Sequence, residues 1–351
     1  TVFRGSARFV GPHAVVVEGS AGSTSITADR IVIAAGARPV IPDIPGLADI
    51  GFYTSDDIMR VDDVPRRLAI LGGGFIASEM AHVFEAFGSA ITIINRGNEL
   101  LKHEDHDIRS RFLDAVRGRF DVRLQTEVIR AERANGAIRL DLSDGTTIEV
   151  DAVLVAAGRV PNSDELGLAA AGYPLHPDGR IRVNARQETA IPDVYALGDI
   201  SSSHQLKHVA NHEARVVAHN LEHPDRPIES DHRFVPHAVF ASPQVASVGL
   251  TEEAARAEGF DIVTKIQSFG DTAYGWAMED TTSVCKVIAD RRSRRLLGAH
   301  LMGPYSAMLI QQLIQGMAAG QTIDEMARDQ YYIHPSLSEV VENALLGLGD
   351  A

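Results

Sequence analysis

The chain has 351 residues, 45% hydrophobic and 23% charged, and 47 acidic against 33 basic side chains give a formal net charge of −14. That length and balance suit two or three domains with substantial cores rather than a disordered chain, and the acidic excess argues against a nucleic-acid groove or an anionic membrane surface as partner. The single cysteine, Cys285, rules out an internal disulphide or a two-thiol redox centre within the chain. No apolar run is long enough to span a bilayer, and no secretory leader is seen, so a cytoplasmic setting is expected. The chain opens on Thr1 in mid-pattern, which predicts a piece of something longer.

In chain order, residues 2–40 read as short strands with turns, the last strand running over residues 31–36 into Ala35 and Gly36. A proline-rich link at residues 41–46 marks a boundary. Next comes an apolar run, residues 68–71, that ends in Gly72-Gly73-Gly74-Phe75-Ile76-Ala77, followed by a helical pattern through Met80, Val83, Phe84 and Phe87 and a second apolar run at residues 91–94. A strand, a G-x-G-x-x-A turn, a helix and a strand make a βαβ dinucleotide fold. Gly72 provides the tight turn, Gly74 lets the backbone approach a pyrophosphate, and Ala77 is small enough for helix and sheet to touch. The phosphates would sit on the unpaired N–H groups at the helix start, around Phe75 and Ile76.

The second run ends in Asn95, where an NAD site would carry an acid for the ribose 2′-hydroxyl. Arg96 follows, and Lys102 lies just beyond. A carboxylate would repel a 2′-phosphate, whereas these two cations would hold it, each charge-assisted bond contributing roughly 1.5–3 kcal/mol. The pattern therefore predicts NADPH; the bland reading makes Arg96 and Lys102 ordinary solvated charges.

Residues 105–117 read as a helix and residues 122–150 as a meander of strands turned at Asn135-Gly136 and Asp144-Gly145. Residues 152–159 then repeat the pattern of residues 31–38, a buried strand, two alanines, a glycine and a basic residue near a proline, with Gly158 and Arg159 answering Gly36 and Arg38. The repeat suggests two nucleotide-binding lobes, each ending on a glycine-terminated strand. Residues 189–199 end in Gly198-Asp199, a carboxylate placed to capture a ribose or polyol hydroxyl, or simply to cap a helix. A helix is predicted over about residues 206–220; His204, His208 and His212 recur there every four residues, and two of them on one face could ligate zinc, but no third ligand is evident, so no metal is assigned.

From about residue 233, strands at 238–240, 245–248, 262–268, 283–289 and 297–301 alternate with helical stretches at 251–258, 305–319 and 322–328. This is an α+β domain with an antiparallel sheet. Cys285 lies mid-strand and reads as an inert buried thiol. The last element is His334-Pro335-Ser336-Leu337-Ser338-Glu339, running into an amphipathic helix. His334 is an acid–base candidate, since imidazole titrates unperturbed near neutrality, or else a turn histidine before proline; Ser336-x-x-Glu339 also matches a capping box. The fold class is α/β, with doubly wound Rossmann-like nucleotide-binding domains plus a C-terminal α+β domain.

Taken together, Ala35-Gly36, the Gly72 turn with Glu79, Gly158-Arg159 with Pro161-Asn162, Leu197-Gly198-Asp199, residues 236–252, and His334-Pro335 with Glu339 resemble the flavin-dependent pyridine nucleotide–disulphide oxidoreductases. Within that family the nearest likeness is carried by residues 205–215 and 331–343, and Asn95-Arg96 fits an NADPH-linked member better than an NAD-linked dihydrolipoamide dehydrogenase. The resemblance implies FAD and NADPH as cofactors, a small-molecule disulphide as substrate, and a homodimer made by the C-terminal domain. It divides the chain into a remnant of the FAD-binding domain (1–44), an NADPH-binding Rossmann domain (45–157), a second part of the FAD-binding domain (158–230) and a dimerisation domain (231–351).

It further implies that Ala7, Ala35, Gly36, Gly158, Arg159, Gly198 and Asp199 line the FAD. Lys207, His208, Val209 and Ala210 would open a helix facing the flavin ring, where a helix N-terminus stabilises negative charge. Glu79 would lie near the nicotinamide, and His334, held by Glu339, would protonate the leaving thiolate in the neighbouring subunit's site. The chain departs from the family in having neither the FAD G-x-G-x-x-G nor the C-x4-C pair. A truncated chain unable to perform the thiol step alone is expected, with a non-catalytic NADPH-binding module or a dihydrolipoamide dehydrogenase-like enzyme as alternatives.

Overall fold

The chain changes unit at the proline-rich link and again after Gly158. In the computed structural model, which describes residues 1–349, Thr1–Val40 with Arg159–Val235 form one compact unit, and Ile41–Gly158 with Pro236–Ala351 form another. The first unit opens with an antiparallel sheet of β1 (Ser6–Gly11), β2 (Ala14–Gly19) and β3 (Gly22–Thr27), followed by β4 (Ile31–Ile33) and β5 (Ala37–Pro39). The strand expected to reach residue 36 stops at Ile33, because Gly36 takes a left-handed φ of 68° that turns the chain.

The second unit contributes α1 (Leu47–Ile50), β6 (Arg67–Leu71), α2 (Phe75–Ala86), β7 (Ala90–Asn95), α3 (His106–Arg117), β8 (Asp121–Leu124), β9 (Val128–Ala134), β10 (Ala137–Leu142), β11 (Thr147–Val150) and β12 (Ala152–Val155). Four of these strands form a parallel sheet in the order β12-β6-β7-β8, with Leu68 opposite both Ile91 and Ala152. Side chains alternate across a sheet, and β6 shows why its run is apolar throughout. Leu68 and Ile70 join Ala77, Ala81, Phe84, Ile108 and Phe112 on the helical side, while Ala69 and Leu71 meet Val128, Ile138, Leu140 and Val150 of the antiparallel β9-β10-β11 layer on the other. A parallel strand covered on both faces reads as a continuous apolar run, as residues 68–71 do, with Arg67 at the half-buried start of the strand. The meander expected over residues 122–150 is therefore corrected at its start: residues 121–124 pair with β7 in the parallel sheet, since a strand that follows a crossover helix returns parallel to its predecessor.

The chain then re-enters the first unit as β13 (Arg159–Pro161), antiparallel to β5, β14 (Val194–Ala196), parallel to β4, and α4 (Lys207–Glu222). Phe9, Ile33, Leu168, Tyr173, Ile181, Val194, Ala196 and Ile200 make its core. The rest of the second unit is β15 (His237–Val239), β16 (Val245–Gly249), α5 (Glu252–Ala257), β17 (Ile262–Ser268), α6 (Ala273–Ala277), β18 (Val284–Asp290), β19 (Leu296–Met302), α7 (Ser306–Ala319), α8 (Ile323–Arg328) and α9 (Ser338–Leu346). Its five strands form an antiparallel sheet, β15-β16-β19-β18-β17. Val239, Val245, Val284 and Met302 of this sheet share a hydrophobic cluster with α2 and α3, so the Rossmann lobe and the C-terminal domain pack as one body. Cys285 is fully buried in β18, and burial pushes its thiol up to about 12. Among the described residues no helix is long and apolar enough to cross a membrane.

Candidate functional site

The three glycines between β6 and α2 are there for different reasons. Gly72 has a φ of 133°, donates its N–H to Ile94 O at 2.9 Å, and would set a Cβ only 2.2 Å from Ala156 O. Gly73 would set one 2.7 Å from the Asn95 side chain, and its carbonyl accepts from the Leu101 N–H at 2.8 Å. Around Gly74 nothing lies within 4 Å of an added Cβ. The first two glycines let backbone and side chain close on the turn, and the third borders open space, the cradle an approaching phosphate group needs. Gly74 is the N-cap of α2 and no side chain caps that helix. Its first N–H groups, beside the 45% exposed Phe75, with Ile76 half-buried and Ala77 fully buried behind it, keep the partial positive charge of a helix start available to an anion.

Asn95 ends β7 with its amide committed to the protein, Nδ2 donating to Glu99 O at 2.7 Å. It brings no negative charge to the turn. Arg96 and Lys102 are both exposed and neither forms an ion pair among the described residues. The nearest acid in sequence, Glu99, is held by Arg109 at 2.8 Å, so it does not quench them. An open glycine, an uncapped helix and two unpaired cations fit a phosphorylated dinucleotide. On the next turn of α2, Glu79 Oε1 accepts the Phe240 N–H at 2.9 Å. Burial pushes its carboxyl above the usual range, with the Phe240 bond opposing.

In the first unit, Gly198 has a φ of 73° and donates its N–H to Glu213 Oε2 at 2.7 Å. Glu213 is 1% exposed and has His232 Nε2 3.2 Å from its other oxygen. Asp199 beside it is half-buried, with no hydrogen bond or ion pair among the described residues. α4 starts after Leu206 without a side-chain cap; Lys207 and His208 are exposed, Val209 is buried and Ala210 half-buried. Around Ala35 and Gly36 the organiser is Asn162, whose Nδ2 donates to Ala35 O at 2.8 Å and whose backbone N–H donates to Gly36 O at 3.1 Å. An added Cβ on Gly36 would meet nothing within 4 Å, and the same holds at Gly158. Arg159 turns its guanidinium onto Ala37 O at 2.6 Å, and Ala7 is half-buried in β1 opposite Val17. Open glycines, an unpartnered carboxylate and an uncapped helix suit part of a flavin nucleotide, the pyrophosphate turn excepted. His212 Nε2 accepts the Asp231 N–H at 3.3 Å, and among the described residues no group of three His, Cys, Asp or Glu is arranged to hold a metal.

At the other end of the second unit, His334 Nδ1 and Glu339 Oε1 are 2.8 Å apart. The imidazole is 69% exposed. Its hydrogen bond draws the Glu339 carboxyl below the usual range, with burial opposing. Glu339 Oε2 also accepts the Ser336 N–H at 3.1 Å. The reciprocal half of the expected capping box is absent: Ser336 Oγ accepts from the Ser338 N–H at 3.2 Å instead, and α9 begins at Ser338 with no side-chain cap. Bonded this way at Nδ1, the ring keeps Nε2 for proton exchange.

Sequence reasoning missed Asn162 and Glu213 as supports, although both lie inside the motif stretches quoted above. It also missed Gly73, which reads as a filler between the two motif glycines until Asn95 is seen against it.

The family profile described as pyridine nucleotide-disulphide oxidoreductase matches residues 1–214, and that of the family's dimerisation domain matches residues 235–345. Mycothione reductase of Mycobacterium tuberculosis (strain ATCC 25618 / H37Rv) is 51% identical over 326 residues, 92% of this chain and 71% of that protein. Glutathione reductase of Burkholderia cepacia is 34% identical over 339 residues, 96% and 74% of the two chains. Among solved structures, the HOCl-induced flavoprotein disulfide reductase RclA of Escherichia coli superposes with a TM-score of 0.89 at 31% identity, covering 99% of this chain and 79% of that one.

Proposed function

Since the chain belongs to the pyridine nucleotide-disulphide oxidoreductases, a family of enzymes that work with FAD and NADPH, we propose that it serves the NADPH-dependent, flavin-mediated reduction of a low-molecular-weight disulphide of the mycothione type, as a cytoplasmic homodimer. When bound, NADPH supplies a hydride equivalent and FAD passes the electron pair on. Gly72 and Gly74 with the start of α2 (Phe75, Ile76, Ala77) seat the NADPH pyrophosphate, Arg96 and Lys102 hold its 2′-phosphate beside the uncharged Asn95, and Glu79 flanks the nicotinamide. Ala7, Ala35, Gly36, Gly158, Arg159, Gly198 and Asp199 contribute to the FAD site, and Lys207, His208, Val209 and Ala210 turn the positive end of α4 toward the flavin ring.

His334 holds a proton at Nε2 for the departing thiolate while Glu339 fixes the ring through Nδ1. A dithiol needs two cysteines, and the sequence supplies one, buried and with its thiol pushed up to about 12. The 351 residues thus carry nucleotide-binding and acid–base parts of the reaction and not its dithiol.

The observation that carries this reading is the open Gly74 and uncapped α2 in the same unit as two unpaired cations after β7. The test is calorimetric titration of the purified chain with NADPH and NADH, alongside its visible spectrum. NADPH should bind tighter by roughly tenfold or more, the contribution of one to two charge-assisted bonds, and Arg96→Glu should abolish the preference. Equal binding of NADH overturns the NADPH assignment. A colourless protein that still prefers NADPH supports the binding-module alternative instead.

A further inference from the structure

Lys102 sits on the exposed crest of a loop whose two feet are buried. At one foot, Leu100 and Leu101 are in the core, and the Leu101 N–H is held by Gly73 O at 2.8 Å. Leu101 has a φ of 50°, a conformation that a branched residue keeps only where its surroundings impose it. At the other foot, Glu104 is 4% exposed and Asp105 fully buried. Only Lys102 and His103 lie between these two anchors.

Within the lobe the Glu104 N–H donates to Leu101 O at 2.9 Å and its carbonyl accepts from Arg109 Nη1 at 2.8 Å, while the side chains of the second anchor are held largely by the C-terminal domain. Glu104 meets His237 Nε2 of β15 at 2.6 Å and accepts from Ser247 Oγ of β16 at 2.5 Å. Asp105 accepts the Glu252 N–H of α5 at 2.9 Å. Lys286 of β18 is 1% exposed, and its Nζ donates to Asp105 at 2.8 Å, to Asp107 at 2.5 Å and pairs with Glu252 at 2.8 Å. An ammonium has three donors and no acceptor, and here three carboxylates take them. Capping α3 does not require this arrangement, because Asp105 already accepts the Asp107 N–H at 3.1 Å.

We infer that the buried cluster of Lys286 with Asp105, Asp107 and Glu252, together with the Glu104 to His237 and Ser247 contacts, positions Lys102, so that the preference for a 2′-phosphorylated dinucleotide is set partly by strands of the C-terminal domain. Lys286 and Glu104 are then positioning residues: neither has a free charge to offer a ligand, and both act through the crest they hold. This rests on the reading of Arg96 and Lys102 as the grip on the 2′-phosphate.

The test is the ratio of NADH to NADPH dissociation constants, measured by calorimetry on the purified full chain and on Lys102→Ala, Lys286→Met, Glu104→Gln and the double variant Lys102→Ala/Lys286→Met. Lys102→Ala is expected to lower the ratio roughly tenfold. Lys286→Met is expected to lower it at least about threefold with NADH affinity unchanged, and the double variant to fall no further than Lys102→Ala alone, the non-additivity of residues that act as one unit. Glu104→Gln changes charge without changing volume and carries the test if Lys286→Met does not fold.

A merely structural weld would lower the melting temperature of Lys286→Met and Glu104→Gln and leave their ratios at the parent value; that result overturns the inference. If instead the parent chain shows no preference, or Arg96→Glu and Lys102→Ala leave it unchanged, the NADPH reading itself has failed and the positioning role falls with it.

Discussion

The two units hold their glycine turns in different ways. In the second, the turn at Gly72 rests on a four-stranded parallel sheet covered by α2 and α3 on one face and by β9-β10-β11 on the other. In the first, β4 pairs with β14 alone and leaves Val32 43% exposed, and the chain around Gly36 is held by hydrogen bonds from Asn162. One site is shaped by burial and the other by polar ties. Burial is collective, so a disturbance at one point is felt through the whole sheet, whereas a polar tie fails locally.

The largest effect that would sharpen this contrast is at the turns themselves. Gly72→Ala should cost roughly 3 kcal/mol, because a Cβ there meets a backbone carbonyl and the φ is unfavourable for any side chain. Gly36→Ala, with open space around it, should cost only about 1 kcal/mol for the left-handed backbone. Denaturant unfolding of the two variants measures both. Next, Asn162→Ala should destabilise the first unit by about 1–2 kcal/mol, through the lost bonds to Ala35 O and from Arg38. Hydrogen exchange should show the loss confined to residues near Gly36; a global loss as large as that of Gly72→Ala would break the comparison.

The smallest effect is a pH dependence within the second unit. Burial pushes the Glu104 carboxyl up, but its bonds to His237 and Ser247 bring it net below 4.5. Burial pushes His237 down, but its bond to Glu104 brings it net above 6.5. The carboxylate's contribution is complete above pH 4.5 and lost as pH falls through its folded value. The imidazole's contribution is complete below pH 6.5 and lost as pH rises through its folded value. The pair therefore stabilises most between about pH 4.5 and 6.5, and Glu104→Gln should lower the unfolding midpoint inside that window and weaken its fall on either side.

Much of the second unit's Rossmann lobe was legible because its signals are local. The run at residues 68–71, the glycine turn and the helical pattern behind it lie within twenty residues of one another, and period and turn chemistry act at that range. The His334 to Glu339 contact was legible for the same reason, spanning five residues. The capping box misled because its motif is shared: Ser338 competes with Glu339 for the hydroxyl of Ser336 and obtains it. Residues 121–124 misled because four residues cannot say which of two neighbouring sheets they will join.

By itself, then, the order of residues determined the βαβ turn, the absence of an acid at the end of β7, the lone cysteine and the paired histidine and glutamate near the C-terminus. These depend on spacing along the chain. Only the tertiary structure decided that Asn162 and Glu213 hold the glycines of the first unit, and that Lys286 closes on Asp105 from 181 residues away. A buried charge is tolerable only where its counter-charges converge, and which carboxylates converge is settled by how sheets and helices pack.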